Sequence, residues 1–356
     1  MEEADLHLEP NEASDLTPVF GPPVLAERDW DLAFATVLDE APVEKAIAVL
    51  AHEAGASIGQ GWQALRVAAK ASRRKGATQD AEACATLDGR LYIVGSQLGS
   101  KEGPLEPARS FIARVREEDV AEAIAGGSRA AVNVAWLQFR LHRAVNDAFA
   151  AAAIELIEPG PRTREAYIDA TIRRGAHDEK TWSGEVRSGD HPINVEAVSF
   201  RGDGRMLLGL RYPVTAEGQP LLVELSNAED VFADRDADPD CSAVWHLDNI
   251  GNRQEPVGLR ALHADGPDRF HSVGNLDSAG TTILADHPEG GRANSTHVRF
   301  SLPLAAAGGA VRCETVRRFE DIKRVEGVVT DDNGNSYYVI DRDGHVALRT
   351  LLVDQV

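Results

Sequence analysis

The chain has 356 residues, 43% hydrophobic and 26% charged, a globular composition that excludes wholesale disorder, a collagen-like repeat and a disulfide-stapled mini-protein. Fifty-seven acidic against thirty-seven basic residues give a formal charge of −20, which opposes nucleic acid and anionic membranes as partners. Cys84, Cys241 and Cys313 form no close pair, so neither a disulfide framework nor a Cys-based zinc site is expected.

Residues 1–25 are acidic and carry Pro10, Pro18, Pro22 and Pro23, which reads as a mobile or surface-draped tail ahead of one domain over 26–356. The start lacks the basic and apolar segments of a signal peptide, and no apolar run approaches the roughly 20 residues of a membrane span. A cytoplasmic protein is expected. Short apolar runs at 33–38 and 45–50 follow, and periodicity alone leaves them between strand and buried helix.

From residue 80 onward the chain repeats itself. One copy runs over 80–95, a second over 194–209, a third over 255–274 and a fourth over 324–340. Each has a leading segment, usually with a Glu, then a strand of small and apolar residues. An Asp-Gly or Asn-Gly turn follows, then a second apolar strand. Such turns accept positive φ, so each copy predicts a tight hairpin. Third strands are predicted at 111–115, 221–225 and 345–348. The turn glycines Gly89, Gly204, Gly266 and Gly334 are spaced more widely than most propeller repeats, so inserted loops are required. The widest gap holds Val134, Leu137, Leu141, Val145, Ala148 and Ala152 at helical spacing. One or two helices are expected within 117–175, broken near Pro159-Gly-Pro161.

Repeated hairpins cannot cover both of their faces alone, and radial stacking does so. The expected fold is mainly β, a β-propeller of about six blades within a range of five to seven, with an α-helical insertion. The C-terminal strand is expected to close the ring against an N-terminal one.

Several short motifs carry little. Gly55-Ala-Ser-Ile-Gly59 imitates a nucleophile elbow, and Gly59-Gln-Gly61 with Ala64 a dinucleotide fingerprint, but neither has the βαβ frame it needs. The spaced acids Asp234, Asp236, Asp238 and Asp240 resemble a calcium loop, yet Pro239 and Trp245 stand where glycine and the bidentate Glu are required. Ser96 and Lys101 are read as a polar loop, and Arg73-Arg-Lys75 as a lone basic triplet.

Asn194-Val-Glu-Ala197, Met206-Leu-Leu-Gly-Leu-Arg211, Leu221-Leu-Val-Glu-Leu225 and Leu91-Tyr-Ile-Val-Gly-Ser96 together resemble a bacterial family known as domain of unknown function 3616. The likeness covers about residues 80–116 and 190–226, with weaker support at 324–340, and departs at Ala83 and Ala197, where that family often has Gly. It implies a propeller and transfers no activity. More distantly, the repeated Glu before an apolar strand is similar to calcium-dependent propeller hydrolases, namely regucalcin, gluconolactonase and the esterase-like phytases. That resemblance implies that Glu82, Glu196 and Glu326 converge at the channel mouth.

Three carboxylates brought together need a cation, basic partners or raised pKa values. Oxygen ligands, with Asn194 and Asn275 near in the repeat, suit Ca²⁺ or Mg²⁺. The structural alternative is that each Glu caps backbone N–H groups at the start of its own blade, and it is the favoured one. Arg211 and His191 suit a small anionic ligand, with salt bridges to neighbouring acids as the alternative. The sequence therefore favours a non-catalytic propeller that binds a protein partner or small ligand at its channel mouth or helical insert. The competing expectation is a Ca²⁺-assisted hydrolase of an ester, lactone or phosphoester. An apolar stripe left exposed between Trp136 and Phe149 would favour the protein partner.

Overall fold

The computed structural model describes residues 2–6, 12–72, 77–276, 283, 284, 291, 294–320, 322–342 and 345–352, so the basic triplet at 73–75 lies outside the described residues. The first strand, β1 (Glu2–Leu6), lies beside the last strand of the chain. β2 (Ala13–Pro18), β3 (Trp30–Leu38), β4 (Ile47–Glu53) and β5 (Trp62–Arg66) form an antiparallel meander, with the helices α1 (Pro22–Glu27) and α2 (Val43–Ala46) in its connections. The short β6 (Ala69–Ala71) crosses over to pair in parallel with the outer strand of the second meander. That meander is β7 (Ala81–Leu87), β8 (Arg90–Gly95), β9 (Phe111–Arg116) and β10 (Ala130–Trp136). The third is β11 (Asn194–Phe200), β12 (Met206–Tyr212), β13 (Leu221–Leu225) and β14 (Cys241–Asp248). The fourth is β15 (Gly258–Ala264), β16 (Arg269–Asn275), β17 (Thr296–Ser301) and β18 (Gly309–Arg318). The fifth is β19 (Val325–Thr330), β20 (Asn335–Arg342), β21 (His345–Leu352) and then β1, whose Glu2 stands opposite Thr350.

The leading strands β2, β7, β11, β15 and β19 each pack against the next, and β19 packs back on β2, so the five meanders close into a ring. Side chains alternate between two buried faces. In the third meander Leu208, Leu210, Leu221 and Val223 pack towards the second, with Tyr92, Val94 and Ile112. Leu207 and Leu222 pack the other way, with Leu259, Leu262 and Phe270. Both faces being covered explains why Met206–Leu210 reads as an unbroken apolar run rather than an alternating one. The fold is mainly β and of the propeller kind.

The predicted hairpins at 80–95, 194–209, 255–274 and 324–340 coincide with β7–β8, β11–β12, β15–β16 and β19–β20. Asp88 and Gly89 both take positive φ, at 48° and 69°, as a two-residue hairpin turn requires. The described residues among the first 25 differ from expectation. They supply β1, α1 and β2 instead of a loose tail, with Leu6, Ala13, Leu16, Val19 and Phe20 buried. Few apolar residues suffice there, because β1 is held by backbone pairing to β21 and β2 sits between β7 and β19.

The segment 117–175 contains α3 (Glu117–Ile124), strand β10, α4 (Arg140–Ala152) and most of a helical run from Pro161 to His177. Leu141, Val145, Ala148 and Phe149 of α4 are buried against the core of the second and third meanders, so α4 presents no bare apolar stripe to a partner. The later run packs Tyr167 and Ile168, together with Trp182 just beyond it, onto Leu98, Leu105, Tyr212 and Val214. These loop residues leave the ring at the end where the leading strands begin, so the helical segment lies on that same face. Tyr167 Oη donates to the Lys101 carbonyl and Leu105 N–H to Thr171 Oγ1, which fixes it there. No helix among the described residues is long and apolar enough to cross a membrane.

Candidate functional site

Each leading strand carries a β-bulge near its start. The register shifts at Glu82 in β7, Glu196 in β11, Arg260 in β15 and Glu326 in β19, and over Asp15 and Leu16 in β2. A bulge takes one residue out of the strand's alternation and re-aims its side chain. Here four equivalent positions place Glu82, Glu196, Arg260 and Glu326 around the ring's axis at its mouth, the end where the leading strands begin, while Asp15 of β2 is fully buried.

Two of the glutamates meet around an arginine. Arg260 Nη1 lies 2.8 Å from Glu196 Oε2 and donates to Glu326 Oε2 at 2.9 Å, while its Nε donates to Asn275 Oδ1 at 2.8 Å. Arg211 Nη1 and Asn194 Nδ2 both donate to Glu196 Oε1 at 2.8 Å. Burial pushes the Glu196 carboxyl up, but Arg211 and Arg260 outweigh it and hold it below the ordinary value. Asn275 is engaged further by donating to Ser295 Oγ and the Lys323 carbonyl, so its amide orients Arg260. The cation between Glu196 and Glu326 is thus a guanidinium, and a larger share of the network is internally neutralised than three glutamates alone suggest.

Glu82 stands differently. Asp39, just after β3, and Asp80, just before β7, join it, and one oxygen from each of the three lies within 4.8 Å of the others. Asp80 is held by Arg109 Nη1 at 2.6 Å. Burial raises all three carboxyls. For Glu82 the neighbouring Asp39, Asp80, Glu196 and Glu326 raise it further, so it ends well above its ordinary value; Asp39 does too. Among the described residues, five carboxylates at the mouth, Asp39, Asp80, Glu82, Glu196 and Glu326, face three guanidiniums, Arg109, Arg211 and Arg260. The negative excess is concentrated at Glu82.

His191 takes another position. Its backbone N–H donates to Asn146 Oδ1, and its ring lies 3.9 Å from the Glu158 carboxylate, beside α4. Ser96 accepts from Leu98 N–H, and Lys101 is exposed in the following loop. Ser57 lies in the turn between β4 and β5, and Asp234 caps its own loop by accepting from Asp236 N–H.

Sequence reasoning passed over Arg260, Asp39 and Asp15. Arg260 was visible: Leu259-Arg-Ala261 occupies the same slot as Val195-Glu-Ala197, five or six residues before the turn. Asp80 opens the first repeat copy. Asp39 belongs to a meander without an Asp-Gly turn, and nothing local marks it.

No family model matches the chain. No curated protein matches it either. Solved structures do. The WD40 β-propeller domain of Doa1 is 10% identical, with 97% of this chain and 95% of that one covered and a TM-score of 0.37. MPT-4, a mannose phosphorylase from Leishmania mexicana, is 10% identical over 98% and 87%, with a TM-score of 0.41. A protein of unknown function from Dyadobacter fermentans is 11% identical over 99% and 83%, also at 0.41. These likenesses concern the fold and assign no activity.

Proposed function

We propose that the chain is a five-bladed, non-catalytic β-propeller whose channel mouth binds a hard divalent cation through Asp39, Asp80 and Glu82. Each meander is one blade, so the count is five where six was the central expectation. The observation that supports the reading is the unneutralised carboxyl of Glu82, whose near neighbours are other acids while the arginines are committed to Asp80, Glu196 and Glu326. Carboxylate oxygens alone suit Ca²⁺ or Mg²⁺ and not a soft metal. Glu196, Arg260 and Glu326 would form a braced wall beside the ion, with Asn194 and Asn275 orienting them. The competing reading, a metal-assisted hydrolase of an ester, lactone or phosphoester, draws no support from the arginines. Arg211 and Arg260 are already paired with acids, so an anionic substrate would have to displace those pairs.

Calorimetric titration with Ca²⁺ tests the proposal. The wild type is expected to saturate, and Glu82→Gln to weaken binding by about 100-fold, since it keeps the shape and removes one of three ligand charges. Equal binding by both proteins, or no binding by either, would sink it. Protons held by the raised carboxyls compete with the ion, so affinity should rise with pH across the range above ordinary carboxylate values.

Stability should follow the same sign. A carboxyl raised in the folded state contributes stability that is present below its unfolded pKa and lost as pH rises through the folded value. Without the ion, the wild type is expected to lose thermal stability relative to Glu82→Gln as pH rises from about 4 to 7, and Ca²⁺ should restore it. Melting curves of both proteins that run parallel over this range would contradict the assignment.

A further inference from the structure

The outer part of the fourth meander holds a cleft of about 530 Å³ that is unlike the acidic mouth. Trp245, Phe270 and Phe300 contribute apolar walls, and Arg269, Arg299, Arg312 and His271 line it with donors. Arg269 is paired with Asp265, and Arg299 with Glu314 in a solvent-exposed bridge. Exposed bridges of that kind are weak and readily exchanged. Arg312 has no ion pair among the described residues. Trp245 is almost wholly buried, and its indole N–H has no hydrogen-bond partner among the described residues.

Behind the cleft runs a buried chain of hydrogen-bonding side chains that crosses from the fourth meander to the fifth. Tyr338 Oη lies 2.6 Å from His297 Nδ1, and His297 Nε2 lies 2.8 Å from His271 Nδ1. His271 Nε2 then faces Asp265 Oδ2 at 3.7 Å, on the cleft side. The direction of the protons follows from the two ends. Tyr338 is buried, burial pushes its ionisation up, and His297 is its hydrogen-bond partner, so its hydroxyl donates to His297 Nδ1. Burial also lowers the pKa of His297 and of His271, which keeps both rings neutral. A neutral His297 that accepts at Nδ1 carries its proton on Nε2 and donates it to His271 Nδ1. His271 is left with its proton on Nε2, turned towards Asp265 and the cleft. The carboxylate there favours the same tautomer.

We propose that this cleft is a second binding site, for a small organic anion whose phosphate or carboxylate head pairs with Arg312 and Arg299 and accepts from His271 Nε2–H. Pro303, Ala306 and Ala310, which also line the cleft and are not buried, take the apolar body. Arginine forks fit either head group, and a fixed N–H donor costs no rearrangement on binding. His297 and Tyr338 are positioning residues: they touch no ligand and set which nitrogen of His271 donates.

Titration with phenyl phosphate and with benzoate, in low salt at pH 7.5, tests the site, and inorganic phosphate provides a third arm. At least one organic probe is expected to saturate, more tightly than inorganic phosphate, and the tighter of the two identifies the head group. Arg312→Ala, an exposed substitution, should weaken that probe at least about 10-fold, about 1.4 kcal/mol. Absence of binding by both organic probes, or equal binding by Arg312→Ala, would overturn the site. Tyr338→Phe removes one oxygen away from the ligand. It should weaken binding several-fold and shift the ¹⁵N signals of the His271 ring away from the Nε2–H tautomer; unchanged signals would overturn the positioning role.

Discussion

Asp15→Ala is expected to destabilise the protein by at least about 3 kcal/mol, a large part of the roughly 5–15 kcal/mol that holds a typical domain together. Asp15 lies in β2 with φ at 56° and no solvent exposure, and its carboxylate accepts from backbone N–H groups of other leading strands. Leu16 N–H donates to Oδ1 at 2.9 Å, and Cys84 N–H in β7 to Oδ2 at 3.1 Å. The N–H groups of Val198 in β11 and Leu262 in β15 also act on it. Cys84, Val198 and Leu262 each come two residues after the bulge residue of their strand. One side chain thus ties β2 to β7 at the centre of the ring, and burial raises its pKa against the pull of the surrounding N–H groups. Alanine removes the acceptor and leaves those N–H groups buried, each orphan costing about 1–3 kcal/mol. Asn is expected to rescue little, because its amide NH₂ would turn a donor towards donors. Urea unfolding measures the loss, with Glu165→Ala as the contrast. Glu165 forms an exposed bridge to Arg173, and its removal should leave the midpoint essentially unchanged. Equal midpoints for the wild type and Asp15→Ala would show that other groups satisfy the central N–H donors.

The position of Asp15 also marks how far the sequence could be read. The four hairpins from residue 80 onward announce themselves, because an Asp-Gly or Asn-Gly turn between apolar runs is a local signal. The first meander has none. β2 and β3 are joined through α1, so no tight turn separates them, and the Pro-containing stretch before β3 resembles a tail. Losing that copy hid Asp15 and Asp39 together. Gly327 shows the opposite case. Its place after Glu326 is visible in the repeat, but its reason is tertiary: a Cβ there would come within 2.9 Å of the Asp15 carbonyl carbon and the Leu16 side chain, where β19 closes on β2. The carboxylates were read as one set of three because they share a slot. What the slot could not tell is which neighbour each would find. Glu196 and Glu326 have Arg260 between them, while Glu82 has Asp39 and Asp80, contributed from outside the leading strands.

That difference gives Arg260 two opposite effects in one substitution. Arg260→Ala removes the charge between Glu196 and Glu326 and is expected to cost about 3–5 kcal/mol, as breaking a buried ion pair does when one partner is left behind. Glu196 keeps Arg211 and Asn194, which limits its share of the loss. Glu326→Gln in the Arg260→Ala background should recover part of the stability, and a double-mutant cycle reads the Arg260–Glu326 coupling directly. The pH dependence has a definite sign. In the wild type, Glu196 is held below its ordinary value, so its contribution is present above the unfolded pKa and lost as pH falls through the folded one. Without Arg260 that contribution shrinks. The gap between wild type and Arg260→Ala should thus narrow from pH 7 towards pH 4. At the mouth the same loss of a positive charge works the other way, since Arg260 opposes any cation held by Asp39, Asp80 and Glu82. The folded fraction of Arg260→Ala is expected to bind Ca²⁺ more tightly than the wild type. Weaker binding would mean that the braced wall is needed to shape the site, and that geometry outweighs charge there.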